Sequence, residues 1–478
     1  MSGPTKNRGG QRGPARPASA PAIPSKDGAR RGILRRFSTS LWVILIAALI
    51  LRAAFALDYT AQNSRLALSV IPFMFESGNI AYSLATGNGF SSPFRMDTGP
   101  TAWMTPVYPL ILAGIFKLFG VYTFPAFVAA LSLNVLFAAF ACIPLFYAGR
   151  KIGGAGLGAL AAWLWAIFPN AIQIPVESMW DASLDALLAA MILWATLVLA
   201  DSKRVRDWCA YGLLWGFTLM TNPTLSSALP FLLGWVAWRS RRQGRPWLGR
   251  CAAALGIAAL CCVPWTIRNY RVFHAFIPTR SVLGLQLAMG NNAEVKDYWL
   301  GEGHPIHDAA ERQRYMEMGE IAYMRMKERD AIRYLFTHPA REAHLIARRF
   351  LNIWTGGAPY PILAFLRVKS LWFRGVLLFN VWISLGTLWG IVVLFLRRSP
   401  YAIPLSVFPL IFPWAYYLTL ALPRYRFPID PILVLAAAVA IVSIAKPGNL
   451  IGRAPDAISS APEEIVRNGR PESDKRSP

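Results

Sequence analysis

Apolar runs that end, one after another, at short basic clusters constrain this chain more than any other feature of it. The runs stop at Arg150-Lys151, at Lys203-Arg204 with Arg206, at the arginines between 239 and 245, and at Arg397-Arg398. A chain threaded repeatedly through a bilayer keeps its Lys and Arg on the cytoplasmic side, and this alternation has that form. Composition agrees: 55% of residues are hydrophobic and 15% charged, against roughly a quarter charged in soluble domains. The formal net charge of +24 lies between the apolar runs, not on a separate basic surface with interleaved aromatics. That distribution argues against nucleic acid as a partner and for the membrane itself.

Placing each cluster in the cytoplasm fixes the crossings. The first lies near 40–57, and the others near 125–149, 152–170, 180–200, 207–222, 224–238, 247–266, 373–396, 401–421 and 429–446. The result is an all-α polytopic membrane protein with about ten transmembrane helices and both termini cytoplasmic. One further run, Thr105 to Phe119, opens on Pro106-Val-Tyr-Pro109, carries Lys117 and is too short to cross. It is expected to be a juxtamembrane helix. Residues 1–37 and 447–478 are polar tails expected to be disordered and cytoplasmic, with the first span acting as an uncleaved anchor. Between them lie an N-terminal membrane module at 38–266 with a long external loop at 58–124, an external segment at 267–372, and C-terminal membrane helices at 373–446. The expected location is a bacterial inner (plasma) membrane.

The five cysteines, Cys142, Cys209, Cys251, Cys261 and Cys262, fall in or beside apolar runs, at spacings that suit neither a zinc site nor a disulfide framework. The five histidines, His274, His304, His307, His338 and His344, all lie in the 267–372 segment. Their spacing is irregular and no HExxH or Cys partner accompanies them, so they read as surface residues. Neither a metal nor another cofactor is expected.

The chemistry-bearing residues sit at the external ends of the spans. Glu76 heads a short amphipathic helix with Ile80, Ala81 and Leu84 on one face; Gly87-Asn-Gly89 then bends the chain, and Pro100, Pro106 and Pro109 stiffen its return. A carboxylate held on a stiff loop beside apolar surface suits general-base work on a hydroxyl. Asp58, where the first span emerges, is the alternative base. Glu177, Asp181 and Asp185 are spaced i, i+4, i+8, which predicts one helical face at the start of a span. Such a face must be paired or must look onto an aqueous cavity. Asp181, near the interface, is the functional candidate, with Glu177 lining the cavity. At the mouth of the last span, Arg424-Tyr-Arg426-Phe-Pro428 presents two arginines able to grip a phosphate by forked hydrogen bonds. Arg52 is a further candidate for that task, and Arg268 and Arg280 weaker ones. Acids and arginines together suggest a lipid-phosphate donor whose tail lies in the bilayer, with a carboxylate activating the acceptor.

Several segments carry a family resemblance. They are Ile80-Ala with Gly87-Asn-Gly-Phe, Pro100-Thr-Ala-Trp103-Met-Thr-Pro106-Val-Tyr108-Pro-Leu, Lys117-Leu-Phe-Gly120, the acidic start of the fourth span and the Arg424 mouth. In order and spacing over most of 40–440 the chain resembles the GT-C membrane glycosyltransferases, specifically the glycosyltransferase family 39 or protein-mannosyltransferase-like branch. The resemblance implies a GT-C-type fold with juxtamembrane helices in the first external loop. It also implies transfer of a sugar from a polyprenyl-phosphate-linked donor to a glycan, lipid or protein acceptor on the periplasmic side. Trp103 and Tyr108, inside the shared motif, are then expected at the substrate cavity. Relatives commonly carry an Asp-Glu pair where this chain has Phe73, and Glu76 stands one turn later. The loop has no DxD-type pair, which makes metal dependence less expected than in the oligosaccharyltransferase branch. Three other readings compete. A transporter or flippase of lipid-linked sugars commonly has inverted repeats, and none is evident. A lipid-linked glycan polymerase or ligase would share the arginine mouth, and an envelope scaffold would leave the acids and arginines without a role.

Overall fold

The computed structural model describes residues 39–62, 73–94, 96–177, 179–295, 303–356 and 370–445. The tails expected at 1–37 and 447–478 lie outside the described residues. Among those described, the regular elements are helices, and the β pairing is a single bridge between Ser91 and Pro100.

Among the described residues, six helical stretches are long and apolar enough to cross a membrane: Leu41–Gln62, Phe124–Ala166, Ala182–Leu199, Leu248–Phe273, Leu371–Leu396 and Arg424–Ala445. The second is not a single rod. It divides into Phe124–Phe140 and Cys142–Ala166, and within the latter Gly153 (φ −150°, ψ 23°) and Gly154 (φ 84°, ψ 178°) leave helical geometry. The chain doubles back there, just past the basic pair Arg150-Lys151. Gly149 then lies so close to Gly158 that an added Cβ would stand 2.8 Å from the Gly158 Cα. The crossings expected at 207–222, 224–238 and 401–421 are the shorter helices Val205–Leu219, Leu229–Arg242 and Ala402–Ile411 with Trp414–Leu418. Pro223, which opens a 3₁₀ turn, and Pro413 interrupt them. Among the described residues, six helical stretches thus reach full spanning length. Val107–Phe119 has 13 residues, short of the ~20 a span needs, and packs along Glu76–Ala85.

The last helix, Asp430–Ala445, is buried on all sides from Asp430 to Ala440 and forms the central post of the bundle. Leu371–Leu396 and Cys142–Ala166 pack against it. The post matters for function because the short turn Pro423–Arg426 sits on its N-terminal end. In the 267–372 segment, two charged helices, Ala309–Met318 and Glu320–Thr337, are divided at Gly319 (φ 75°). Pro339–Thr355 follows them.

Candidate active site

The loop between residues 90 and 107 is irregular, and side chains from distant segments hold it in place. The buried Glu320 carboxylate accepts four bonds: from Thr101 Oγ1 (2.5 Å), the Ala102 N–H (2.8 Å), Ser281 Oγ (2.6 Å) and Tyr315 OH (2.7 Å). Arg268 donates to the carbonyls of Phe90 and Thr101, both at 2.6 Å, and Thr105 Oγ1 donates to the Thr221 carbonyl at 2.5 Å. A buried backbone without a ladder needs such partners, so the loop is stiff. Glu320→Ala strands several buried donors and should lower stability by about 2–4 kcal/mol, read as a fall in the thermal unfolding midpoint in detergent. An unchanged midpoint would contradict the pinning role.

Glu76 opens the Glu76–Ala85 helix and is 8% exposed. The backbone of Phe73 lies across this helix start, so that a Cβ on Gly78 would meet the Phe73 carbonyl oxygen at 2.0 Å and only glycine fits. The Phe73 side chain is core: its ring packs on Phe116, Tyr122 and Phe127 at 5.0–6.5 Å.

Glu76 looks into a cavity of about 300 Å³ that Asp181, Arg424, Arg280, His304 and Trp103 also line. Arg424 lies over the Trp180 ring, 4.1 Å from its centroid, and Phe75 packs on the same ring at 4.9 Å. Arg280 donates to Thr224 Oγ1 at 2.9 Å. Asp181 stands at the head of Ala182–Leu199, and Asp185, one turn deeper, accepts Asn222 Nδ2 at 2.7 Å. The two outer carboxyls are driven apart. Burial works to raise the Glu76 pKa, but the hydrogen bond from His304 and the charge of Arg424 outweigh it and hold the group below its ordinary value. Burial also raises Asp181, and there the charges of Arg280 and Arg424 do not fully offset it, so this carboxyl stays above its ordinary value. Among the described residues no group of three His, Cys, Asp or Glu side chains is placed to hold a metal ion.

The other residues singled out in the sequence lie elsewhere. Arg426 points into the bundle, with Nε 2.6 Å from Asp430 Oδ1 and Nη1 3.0 Å from the Trp354 carbonyl. Successive residues in a helical turn at i and i+2 face nearly opposite ways, so the two arginines cannot grip one group together. Arg52 is consumed by the carbonyls of Ala48, Trp165 and Ala166 at 3.0–3.1 Å, closing the end of Cys142–Ala166. Asp58 is exposed and accepts Gln62 Nε2 at 2.8 Å. Tyr108 is buried with its hydroxyl on Asn134 Oδ1 at 3.1 Å. Glu177 ends its own helix, Pro169–Glu177, is exposed and accepts Gln173. It therefore does not share a helical face with Asp181 and Asp185, because the helix breaks between them. Two cavity residues carried little weight in the sequence reading. Arg280 ranked as a weak cation, and His304 was one scattered histidine among five.

Residues 103–267 match the family described as dolichyl-phosphate-mannose-protein mannosyltransferase. That segment contains Trp103, Asp181 and Asn222 but not Glu76, His304 or Arg424. Among curated proteins no sequence matches the chain. Among solved structures, the apo oligosaccharyltransferase of Archaeoglobus fulgidus is similar at TM-score 0.50 and 11% identity, over 85% of this chain and 50% of that one. The archaeal oligosaccharyltransferase AglB from the same organism, in complex with an inhibitory peptide and a dolichol-phosphate, gives 0.49 at 12% identity over 90% and 52%. ArnT from Cupriavidus metallidurans bound to undecaprenyl phosphate gives 0.35 at 14% identity over 87% and 79%. The chain spans about half the length of the oligosaccharyltransferase it matches. At 11% identity the likeness to the apo oligosaccharyltransferase is one of fold. The chain is an integral membrane protein of GT-C fold that carries a mannosyltransferase-family segment.

Proposed function

We propose that the protein is a membrane glycosyltransferase that moves a sugar from a polyprenyl-phosphate-linked donor to an acceptor hydroxyl on the external side of the membrane. The observation that carries this reading is the convergence of Glu76, Asp181, Arg280 and Arg424 on one cavity at the end of the bundle. The family matched by residues 103–267 supports the donor class.

In the proposed reaction the donor's isoprenoid tail stays in the bilayer and its phosphate meets Arg424 and Arg280. Glu76, held ionised, takes the proton of the acceptor hydroxyl as that oxygen attacks the anomeric carbon. The bond from the anomeric carbon to the phosphate oxygen breaks, and the pair of guanidinium groups stabilises the charge that develops on the departing lipid phosphate. Asp181 keeps both guanidinium groups directed into the cavity before the donor arrives. The products are glycosylated acceptor and lipid phosphate, with the proton on Glu76.

Membranes containing the protein, given a polyprenyl-phosphate sugar labelled in the sugar, test this. The expected result is label in a product no longer attached to the lipid, with lipid phosphate released in equal amount. Label that crosses sealed vesicles still joined to its lipid would support transport instead.

A further inference from the structure

His304 is a cavity residue that the reaction above does not use, and like Arg280 it comes from the 267–372 segment. The residue is 7% exposed, with Nε2 3.2 Å from Glu76 Oε1. The other ring nitrogen, Nδ1, accepts the backbone N–H of Ile306 at 3.0 Å. A backbone N–H can only donate, so Nδ1 offers its lone pair in this arrangement and the ring proton sits on Nε2, aimed at the carboxylate. Trp103 and Phe94 meet the imidazole edge to face, with centroids 5.5 and 6.1 Å away, and restrict its rotation. The contact to Glu76 is therefore a directed hydrogen bond from a ring whose tautomer and orientation are both fixed.

We infer that His304 is the positioning residue of Glu76: its Nε2–H engages Oε1 and leaves Oε2 to take the acceptor's proton. The inference rests on Glu76 being the base. It also gives the 267–372 segment a second part beside Arg280, since the base is oriented only when this segment is docked. The same anchor has a second strand, because Glu320, from the same segment, holds Thr101 and Ala102 next to Trp103. The charged and titratable groups around the pair are Arg424 from the turn before the central post, Arg280, Asp181 at the head of Ala182–Leu199, and His307 from the same loop, its ring 6.1 Å from His304.

The test compares His304→Ala and His304→Gln with wild type and Glu76→Gln in full-length protein, using labelled lipid-linked donor across a pH series. His304→Ala should lower kcat roughly 10- to 100-fold, the scale of losing orientation of a reacting group, with a much smaller change in donor KM. The acid limb of its pH–rate profile should move to higher pH, because the bond that favours the Glu76 carboxylate is gone while its burial remains. His304→Gln, which keeps an N–H donor, should recover most of the lost rate. If His304→Ala keeps wild-type kcat and an unmoved acid limb while Glu76→Gln is inactive, the inference fails and the base assignment stands. Equal rate losses in His304→Ala and His304→Gln, with the acid limb in place, would also overturn it and leave only a packing role. An active Glu76→Gln would remove both.

Discussion

Glu76→Gln should fold, insert and bind donor, yet transfer sugar about 10²- to 10⁴-fold more slowly, the range a general base contributes. The amide has the shape of the carboxylate and its oxygen can still accept from His304, so the contact at 3.2 Å survives the change. What is lost is the ability to accept a proton. In wild type the acid limb of the rate should lie below the ordinary glutamate range, because His304 and Arg424 together overcome the burial that would raise the group. Asp181 is raised instead, so any step needing its ionised form should show at higher pH than the Glu76 limb. Activity is expected to rise with pH through the Glu76 limb, since the base works only when deprotonated. Transfer at more than a tenth of the wild-type rate in Glu76→Gln would remove this residue from the mechanism.

Arg424→Ala should weaken donor binding and slow transfer together, by about 10²- to 10³-fold, the scale of removing one preorganised group from a developing charge. Its guanidinium lies over Trp180 in the cavity, within the field of both Glu76 and Asp181. Arg424→Lys keeps the charge but cannot present a planar fork, and should recover only part of the activity. Arg426 provides the control two residues away. Its partner Asp430 is fully buried, so Arg426→Ala leaves an uncompensated carboxylate in the bundle and should cost about 3–5 kcal/mol of stability. The prediction is a loss of folded protein from Arg426→Ala and a loss of donor handling by folded protein from Arg424→Ala. Unfolding and donor measurements on the two variants separate these outcomes.

The residues that sequence reasoning reached are those whose signals are local. Glu76 could be found because helix periodicity, a tight glycine bend and three prolines surround it, and Asp181 because an acid at the start of an apolar span requires an explanation. That Val107–Phe119 forms a helix shorter than a span followed from the length of its apolar run. Arg424 and Arg426 could not be told apart, since only the helical turn at Pro423–Arg426 sends one into the cavity and the other onto Asp430. Glu177 was grouped with Asp181 by spacing that assumes an unbroken helix, and the break after Glu177 separates them. His304 has no local signature at all. Its role comes from a contact with a residue far away in the chain and from the Ile306 N–H that fixes its tautomer, and neither leaves a pattern in sequence. The run read as one span at 401–421 is interrupted at Pro413, a break that hydropathy alone does not register.

The division of labour in the cavity can be tested by measuring, with one labelled polyprenyl-phosphate sugar, both equilibrium binding and single-turnover transfer in wild type, Glu76→Gln and Arg424→Ala. The account predicts wild-type binding without turnover for Glu76→Gln, and weakened binding with slowed turnover for Arg424→Ala. Near-normal turnover in both variants would contradict it, because neither Glu76 nor Arg424 would then be carrying the transfer.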